Sequence, residues 1–268
     1  MTTAETRTWE SLRPFSGTIR GEDQVLIIAM AGGAKSTLTA SLLLDTPSLV
    51  ALDSKGRLTL PDARTVQLPP FPDHATGRLP DADALAEFDG ILRDELSWRD
   101  QLDRRRRFLF RNPLPDRPRA RNRVVVRPYY LDVDDPIMHD RLFRAVYLYR
   151  PDTILWIDEI TGTGASSQLT PRHLRAISAR GRTRGIGLWT MTQRPFGLVP
   201  GILRDNATVL IVGPIDPDSA RDVHREDIAI ATTIPTRSGR FIVYVTGERE
   251  PYRLLVPIPD QLKRWEAP

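Results

Sequence analysis

Short apolar runs alternate with segments of helical periodicity along most of this chain. The runs predict strands, and the segments in which apolar residues recur every three or four positions predict helices. The predicted strands are Val25–Met30, Ser48–Leu52, Val124–Arg127, Thr153–Ile157, Gly185–Thr192, Ala207–Val212, Arg240–Val245 and Tyr252–Val256, the last closing a terminal β-hairpin. The predicted helices are Lys35–Leu44, Asp81–Arg107, a helix from about Pro136 to Tyr149, and Pro171–Ala179. This alternation predicts an α/β fold with a mainly parallel sheet, helices on both faces, and a ligand site at the carboxyl ends of the strands.

The regular pattern weakens between residues 61 and 123. Residues 68–80 are rich in proline, and residues 111–123 contain three prolines and show no periodicity, which is typical of loops. We therefore predict one domain over residues 1–268, with an N-terminal arm (1–20), a basic insertion (61–123) that is helical and irregular, and a core formed by residues 21–60 and 124–268.

Composition excludes several classes of protein. The chain has 268 residues and a hydrophobic content of 40%, enough for a core. It contains no apolar run of the roughly 18 residues that a membrane span needs, and the N-terminus has no apolar stretch like that of a signal peptide. There are no cysteines, and the four histidines lack the spacing of a metal-hydrolase site.

Positive charge is concentrated in residues 99–123. This segment holds ten arginines and three aspartates, whereas the whole chain has a net charge of +4. Arginines that contact phosphates give a salt-sensitive, sequence-independent grip on nucleic acid. The alternatives are a solvated charged helix and an arm that docks on a neighbouring protein. The candidate DNA-binding residues are Arg104, Arg105, Arg106, Arg107 and Arg111.

A phosphate-binding loop is predicted at "MAGGAKSTL", directly after the first core strand and at the start of a helix. In the pattern G-x-x-x-x-G-K-[ST], backbone N–H groups surround phosphates, the lysine reaches the β and γ phosphates, and the hydroxyl binds Mg²⁺. Here alanines stand at both glycine positions, Ala29 and Ala34. A glycine-rich turn with an incidental lysine remains the alternative. The predicted nucleotide-binding residues are Gly32, Gly33, Ala34, Lys35, Ser36 and Thr37, with Ser36 also a metal ligand.

Two further polar groups follow apolar strands. "TILWIDEI" places Asp158 and Glu159 at a strand end, where one carboxylate can orient Mg²⁺ and the next can activate water. We assign Asp158 to the metal and Glu159 as general base. Gln193, in "GLWTMTQRP", follows the next strand and is a candidate to contact the γ-phosphate or the attacking water. The alternatives are a solvated acidic pair and a loop glutamine.

Five segments together resemble the FtsK/HerA superfamily of DNA-pumping P-loop ATPases. They are "AGGAKST", "ALDSKGR", "ILWIDE", "RGRTRGIGLWTMTQRP" and "ATVLIVGPIDPDSARDV", and the resemblance covers about Val25–Leu60 and Val124–Val256. It implies a RecA-like core, a hexameric ring with ATP and Mg²⁺ between subunits, and an arginine finger from a neighbour. Arg182 and Arg184 are the candidate fingers, and a solvated basic helix end is the alternative for both.

Within this superfamily the chain looks most like the genome-packaging ATPases of DNA viruses. The resemblance implies ATP hydrolysis coupled to translocation of double-stranded DNA into a capsid, possible contact with a capsid or portal vertex protein, and a location in the host cytoplasm or the virion. Two alternatives stay open. One is a non-packaging translocase of a mobile element, acting in conjugation or DNA partition, and the other is a nucleotide-binding assembly protein with weak turnover.

Overall fold

The strands of the computed structural model form one ten-stranded sheet. The structure describes residues 6–12, 14, 19–60, 63–67, 86, 122–128, 136–163, 165–166, 169–193, 199–223, 225, 228–248 and 250–255. The strands are β1 (Thr6–Thr8), β2 (Gln24–Ile28), β3 (Ser48–Leu52), β4 (Ala63–Gln67), β5 (Asn122–Arg127), β6 (Ile154–Ile157), β7 (Gly187–Thr192), β8 (Val209–Val212), β9 (Arg240–Val245) and β10 (Tyr252–Leu255).

Helices connect most of these strands. The α-helices in the described ranges are α1 (Lys35–Leu42), α2 (Pro136–Tyr149), α3 (Arg172–Arg180), α4 (Gly201–Asn206), α5 (Pro217–Asp222) and α6 (Ile228–Ala231). Short 3-10 helices cover Trp9–Leu12, Ile160–Thr163 and Gly181–Arg184. None of the helices in the described part of the chain has the length and apolar character needed to cross a membrane.

The strand order is β1-β10-β9-β8-β2-β7-β6-β3-β5-β4. The run from β8 to β4 is parallel throughout, whereas β9 is antiparallel to both β8 and β10. The predicted α/β class, the mainly parallel sheet and the C-terminal hairpin are therefore confirmed. Two edge strands were not predicted: β1 lies in the predicted N-terminal arm and pairs with β10, and β4 lies in the predicted insertion and pairs with β5.

The sheet is buried on both faces, which explains why its central strands are mainly apolar. Successive side chains of a strand point to opposite faces, and β2 shows the consequence. Val25 and Ile27 pack in one layer with α1, whereas Leu26 and Ile28 pack in the other layer with residues of α2 and α3. All five residues of β2 are buried, so the loop that follows it starts from a rigid position.

Most of the arginine-rich segment lies outside the described residues. This applies to the predicted helix Asp81–Arg107, of which only Ala86 is described, and to all five candidate DNA-binding arginines, Arg104 to Arg107 and Arg111. Arg123, the last arginine of the segment, is described and belongs to β5. Its side chain is only 2% exposed, so it is a core residue rather than part of a basic surface.

Candidate nucleotide-binding site

The loop between β2 and α1 contains two residues with left-handed backbone. Gly32 has a φ of +73° and Ala34 a φ of +60° with ψ 23°, so both are left-handed. A side chain on Gly33 would meet the Ala29 Cβ at 2.7 Å and the Met30 carbonyl oxygen at 2.9 Å. The loop therefore needs glycine at position 33 for close packing, while at position 34 it holds an alanine in a conformation that favours glycine.

Lys35 begins α1 and turns back over the loop. Its side chain is 6% exposed, and its Nζ donates to the carbonyl oxygens of Ala29 at 2.5 Å and Met30 at 3.0 Å. The pKa of Lys35 is lowered to about 8, chiefly by burial, which outweighs the opposing effect of Glu159; the charge of Lys55 also lowers it, and Asp158 raises it. The free N–H groups of the first turn of α1 and this ammonium are the groups that bind phosphate oxygens at a helix N-terminus.

Ser36 and Asp158 meet although they are far apart in the sequence. Asp158 follows β6 and is 4% exposed, and the Ser36 hydroxyl donates to its Oδ1 at 2.9 Å. A hydroxyl and a carboxylate are hard oxygen ligands, and Mg²⁺ in nucleotide sites is bound by one or two such groups together with waters and phosphates. The two predicted metal ligands therefore fit Mg²⁺ in kind and in position. Thr37, predicted to bind nucleotide, is partly buried one residue further into α1.

Glu159 is held in place by two donors. The Thr161 hydroxyl donates to its Oε1 at 3.0 Å, and the backbone N–H of Gln193 donates to its Oε2 at 3.3 Å. The contact from Gln193 thus comes from the backbone, and its exposed side chain is left to face the cleft. The role of Thr161 was missed, because a threonine two residues after an acidic pair carries no signal of its own.

Lys55 is a second cation at the site and was not among the predicted site residues. Its Nζ lies 3.6 Å from Asp158 Oδ2 and 4.0 Å from Glu159 Oε2. Lys55 lies in "ALDSKGR", one of the segments that carried the resemblance. Its contact with the acidic pair could not be predicted from that segment, because it depends on the ends of β3 and β6 lying side by side.

These loops surround a cleft of about 650 Å³ at the carboxyl edge of the parallel strands. The structure thus brings together the predicted residues of the phosphate loop, the acidic pair and Gln193. The cleft is lined by Ala31, Gly32, Ser36, Ser54, Lys55, Arg57, Leu58, Asp158 and Gln193.

The two candidate finger arginines lie away from this cleft. They belong to the 3-10 helix Gly181–Arg184, which precedes the first residue of β7, whereas Gln193 follows the last. Arg182 is exposed. Arg184 is partly buried, donates to the Leu148 carbonyl oxygen at 3.2 Å, and stacks on the Tyr147 ring at 5.1 Å from its centroid. Neither arginine can reach the cleft of its own chain from this end of the strands.

Comparison with known proteins gives structural likeness only. No protein-family model and no curated protein matches the chain. The genome packaging NTPase B204 of Sulfolobus turreted icosahedral virus 2, in complex with ATP-gammaS, is similar with a TM-score of 0.58 and 17% identity, over 90% of this chain and 100% of that one. The bacterial conjugative coupling protein TrwB gives a TM-score of 0.56 at 13% identity, over 96% of this chain and 90% of that one.

VirB4 of Thermoanaerobacter pseudethanolicus is also similar, with a TM-score of 0.55 at 12% identity, over 96% of this chain and 97% of that one. At these identities the likeness shows the fold. This chain has the α/β fold of P-loop NTPases, and the neighbours are consistent with the FtsK/HerA resemblance seen in its sequence.

Proposed function

We propose that this protein is an ATPase that binds ATP with Mg²⁺ at the β2–α1 loop. The observation that carries the proposal is the 2.9 Å contact between Ser36 Oγ and Asp158 Oδ1, with Lys35 and Glu159 beside it. Lys35 would exchange its two carbonyl acceptors for the β and γ phosphates, and Ser36 and Asp158 would hold the metal. Bound Mg²⁺ would neutralise the charge that develops on the phosphates. Glu159, oriented by Thr161 and Gln193, is the group that accepts a proton from the attacking water.

We propose further that hydrolysis drives double-stranded DNA through a ring of subunits and into a viral capsid. The fold likeness to the packaging NTPase B204 supports this choice, since that chain is covered along its whole length. The arginines at 104–107 and 111 are the proposed DNA contacts, because they are the densest positive charge in the sequence. Such a protein would work in the host cytoplasm or on the virion.

Two other functions are each favoured by one observation. The TM-scores to TrwB and VirB4 are close to that of B204, which favours a translocase of a mobile element. The strained Ala34 favours a nucleotide-binding assembly protein with slow turnover, since strain in the loop lowers the occupancy of the binding conformation.

Steady-state ATP hydrolysis with and without double-stranded DNA separates these functions. We expect DNA to stimulate the wild type, and we expect Lys35→Ala and Glu159→Gln each to lower turnover by roughly a hundredfold or more, because each removes a group that acts in the transition state. Glu159→Gln should still bind ATP, since the amide keeps the shape of the side chain. Turnover that is slow, indifferent to DNA and unchanged in Glu159→Gln would reject the motor and leave the assembly protein.

The choice between packaging and conjugation needs a partner assay. A packaging motor should move DNA into purified capsids of its own virus, and replacement of the five candidate arginines by glutamine should abolish that transport. The same variant should keep its DNA-independent ATP hydrolysis, because none of those arginines belongs to the residues proposed to bind the nucleotide.

A further inference from the structure

Ser54 is a buried hydroxyl beside the cleft with an unsatisfied hydrogen-bonding group. The residue is 8% exposed and lines the cleft, and within the described ranges its Oγ has no hydrogen-bond partner. A buried hydroxyl without a partner destabilises the folded protein, because it has lost its hydrogen bonds to water. Such a cost is common where a ligand supplies the missing partner.

Lys55, the next residue, presents a charge to the same cleft without a close hydrogen bond to the acidic pair. Its distances to Asp158 Oδ2 and Glu159 Oε2, 3.6 Å and 4.0 Å, are those of an ion pair rather than of a charge-assisted hydrogen bond. Its side chain is 36% exposed. A small displacement would let this ammonium exchange the carboxylates for another anion in the cleft.

The turn that carries both residues is held rigidly by Asp53. This carboxylate is fully buried and accepts from the backbone N–H groups of Arg57 at 3.1 Å and Leu58 at 2.8 Å. It also accepts from Arg127 Nε at 3.1 Å, which ties the turn to the end of β5. The backbone that carries Ser54 and Lys55 is therefore fixed before any ligand binds, so only the Lys55 side chain has to move, which lowers the entropic cost of using these donors.

We propose that Ser54 and Lys55 bind the terminal phosphate of the nucleotide, across the cleft from the phosphate loop. A hydroxyl and an ammonium are donors that match phosphate oxygens. In moving to the phosphate, Lys55 would release Asp158 and Glu159 for metal and water only when a triphosphate is present. The pair thus distinguishes ATP from ADP, and this inference rests on the proposed nucleotide site.

The test compares the affinities for ATP-gammaS and ADP, both with Mg²⁺, by calorimetry. We expect Lys55→Ala to weaken ATP-gammaS binding roughly tenfold to a hundredfold, and Ser54→Ala by roughly three- to tenfold, with ADP binding changed by less than about twofold. The matched control is Thr46→Val. Thr46 is also buried, and its hydroxyl has no hydrogen-bond partner among the described residues. It precedes β3 and therefore lies at the amino ends of the strands, away from the cleft. The ratio of the ATP-gammaS and ADP affinities should therefore not change.

Thermal unfolding of the nucleotide-free protein provides a second readout. We expect Ser54→Ala to leave the midpoint unchanged or to raise it, because it removes an unsatisfied hydroxyl. If the nucleotide-free variant is more stable than the wild type and still binds ATP-gammaS more weakly, it has lost a contact with the ligand and has kept its fold. A lower midpoint for Ser54→Ala would overturn the assignment of its hydroxyl to a ligand.

Equal loss of both nucleotides, or no loss of either, would overturn the proposal while leaving the nucleotide site intact. A wild type that binds neither ATP-gammaS nor ADP is a different result, because it rejects the proposed function itself and this inference with it.

Discussion

A single alanine in the phosphate loop stores conformational strain. Ala34 has a φ of +60° at the position before Lys35, where the phosphate-loop pattern has glycine. An L-residue with a side chain pays roughly 1–2 kcal/mol to adopt this region. The loop keeps its shape because the buried end of β2 and the first turn of α1 fix both of its ends, so the strain is borne by the surrounding core.

We therefore expect Ala34→Gly to stabilise the protein by about 1 kcal/mol, measured by urea unfolding. Relief of strain in the binding conformation should also tighten ATP binding a few-fold.

Ala40→Gly is the matched control for this variant. It makes the same chemical change six residues later, inside α1, where glycine destabilises a helix by roughly 0.5–1 kcal/mol. Opposite signs for the two variants are expected. If Ala34→Gly also lowers stability, the left-handed backbone at position 34 is not strained.

At the scale of elements, the end of α1 is fixed by a residue from a distant strand. The buried Arg123 of β5 donates through Nε to the Thr46 carbonyl oxygen at 3.1 Å and through Nη2 to that of Leu43 at 2.7 Å, and it also contacts the Leu44 carbonyl. The Leu43 carbonyl oxygen also accepts from the Thr46 backbone N–H at 3.1 Å, so the guanidinium is a second donor there. The sequence predicted helix to Leu44, whereas α1 ends at Leu42, and the carbonyls of the two residues that follow accept from Arg123.

We expect Arg123→Met, which keeps much of the apolar volume, to destabilise the protein by about 3 kcal/mol, because hydrogen bonds to a charged donor are lost and buried carbonyls remain. Urea unfolding measures the loss. Arg253→Met on the exposed position of β10 is the control and should change stability by less than about 0.5 kcal/mol. A comparably small effect at Arg123 would mean that water can replace the guanidinium there.

The hydrophobic pattern of the sequence was sufficient to predict strands that are buried along their length. It was not sufficient to predict the strands at the edges of the sheet. The strands Ser48–Leu52 and Arg240–Val245 were predicted to the residue. β4, with the sequence ARTVQ, was missed because Val66 is its only apolar residue fully in the core. The site followed the same rule: motif residues at strand ends were predicted, but the contact of Lys55 with the acidic pair depends on β3 and β6 being neighbours.

At the scale of the whole molecule, the cleft lies at the carboxyl ends of the parallel strands, whereas Arg182 lies at their amino ends. Gly187 starts β7 close to the exposed arginine, and Gln193 follows its end at the cleft. If Arg182 acts as a finger, it must act on the cleft of another copy. Arg184, which is already bound to Leu148 and Tyr147, is the weaker candidate, and its removal should mainly affect stability.

Mixing of inactive variants tests this arrangement. We expect Arg182→Ala and Glu159→Gln each to lose ATPase activity alone and to recover part of it when mixed, because some interfaces then pair an intact Glu159 with an intact Arg182. The same experiment with Lys35→Ala and Glu159→Gln should recover nothing, since both changes lie in one cleft. Full activity of Arg182→Ala on its own would remove this arginine from the reaction.

The position of β2 in the sheet has a consequence for how the protein is made. Gln24 pairs with Leu188 and Val25 with Val209, so the strand that carries the phosphate loop is enclosed by strands synthesised much later. A nascent chain that has not yet reached Val212 has no complete sheet on which to set this loop. Contacts between such distant residues are slow to form, because a long loop must close before any of them can. The ability to bind ATP should thus appear only after β8 has been synthesised.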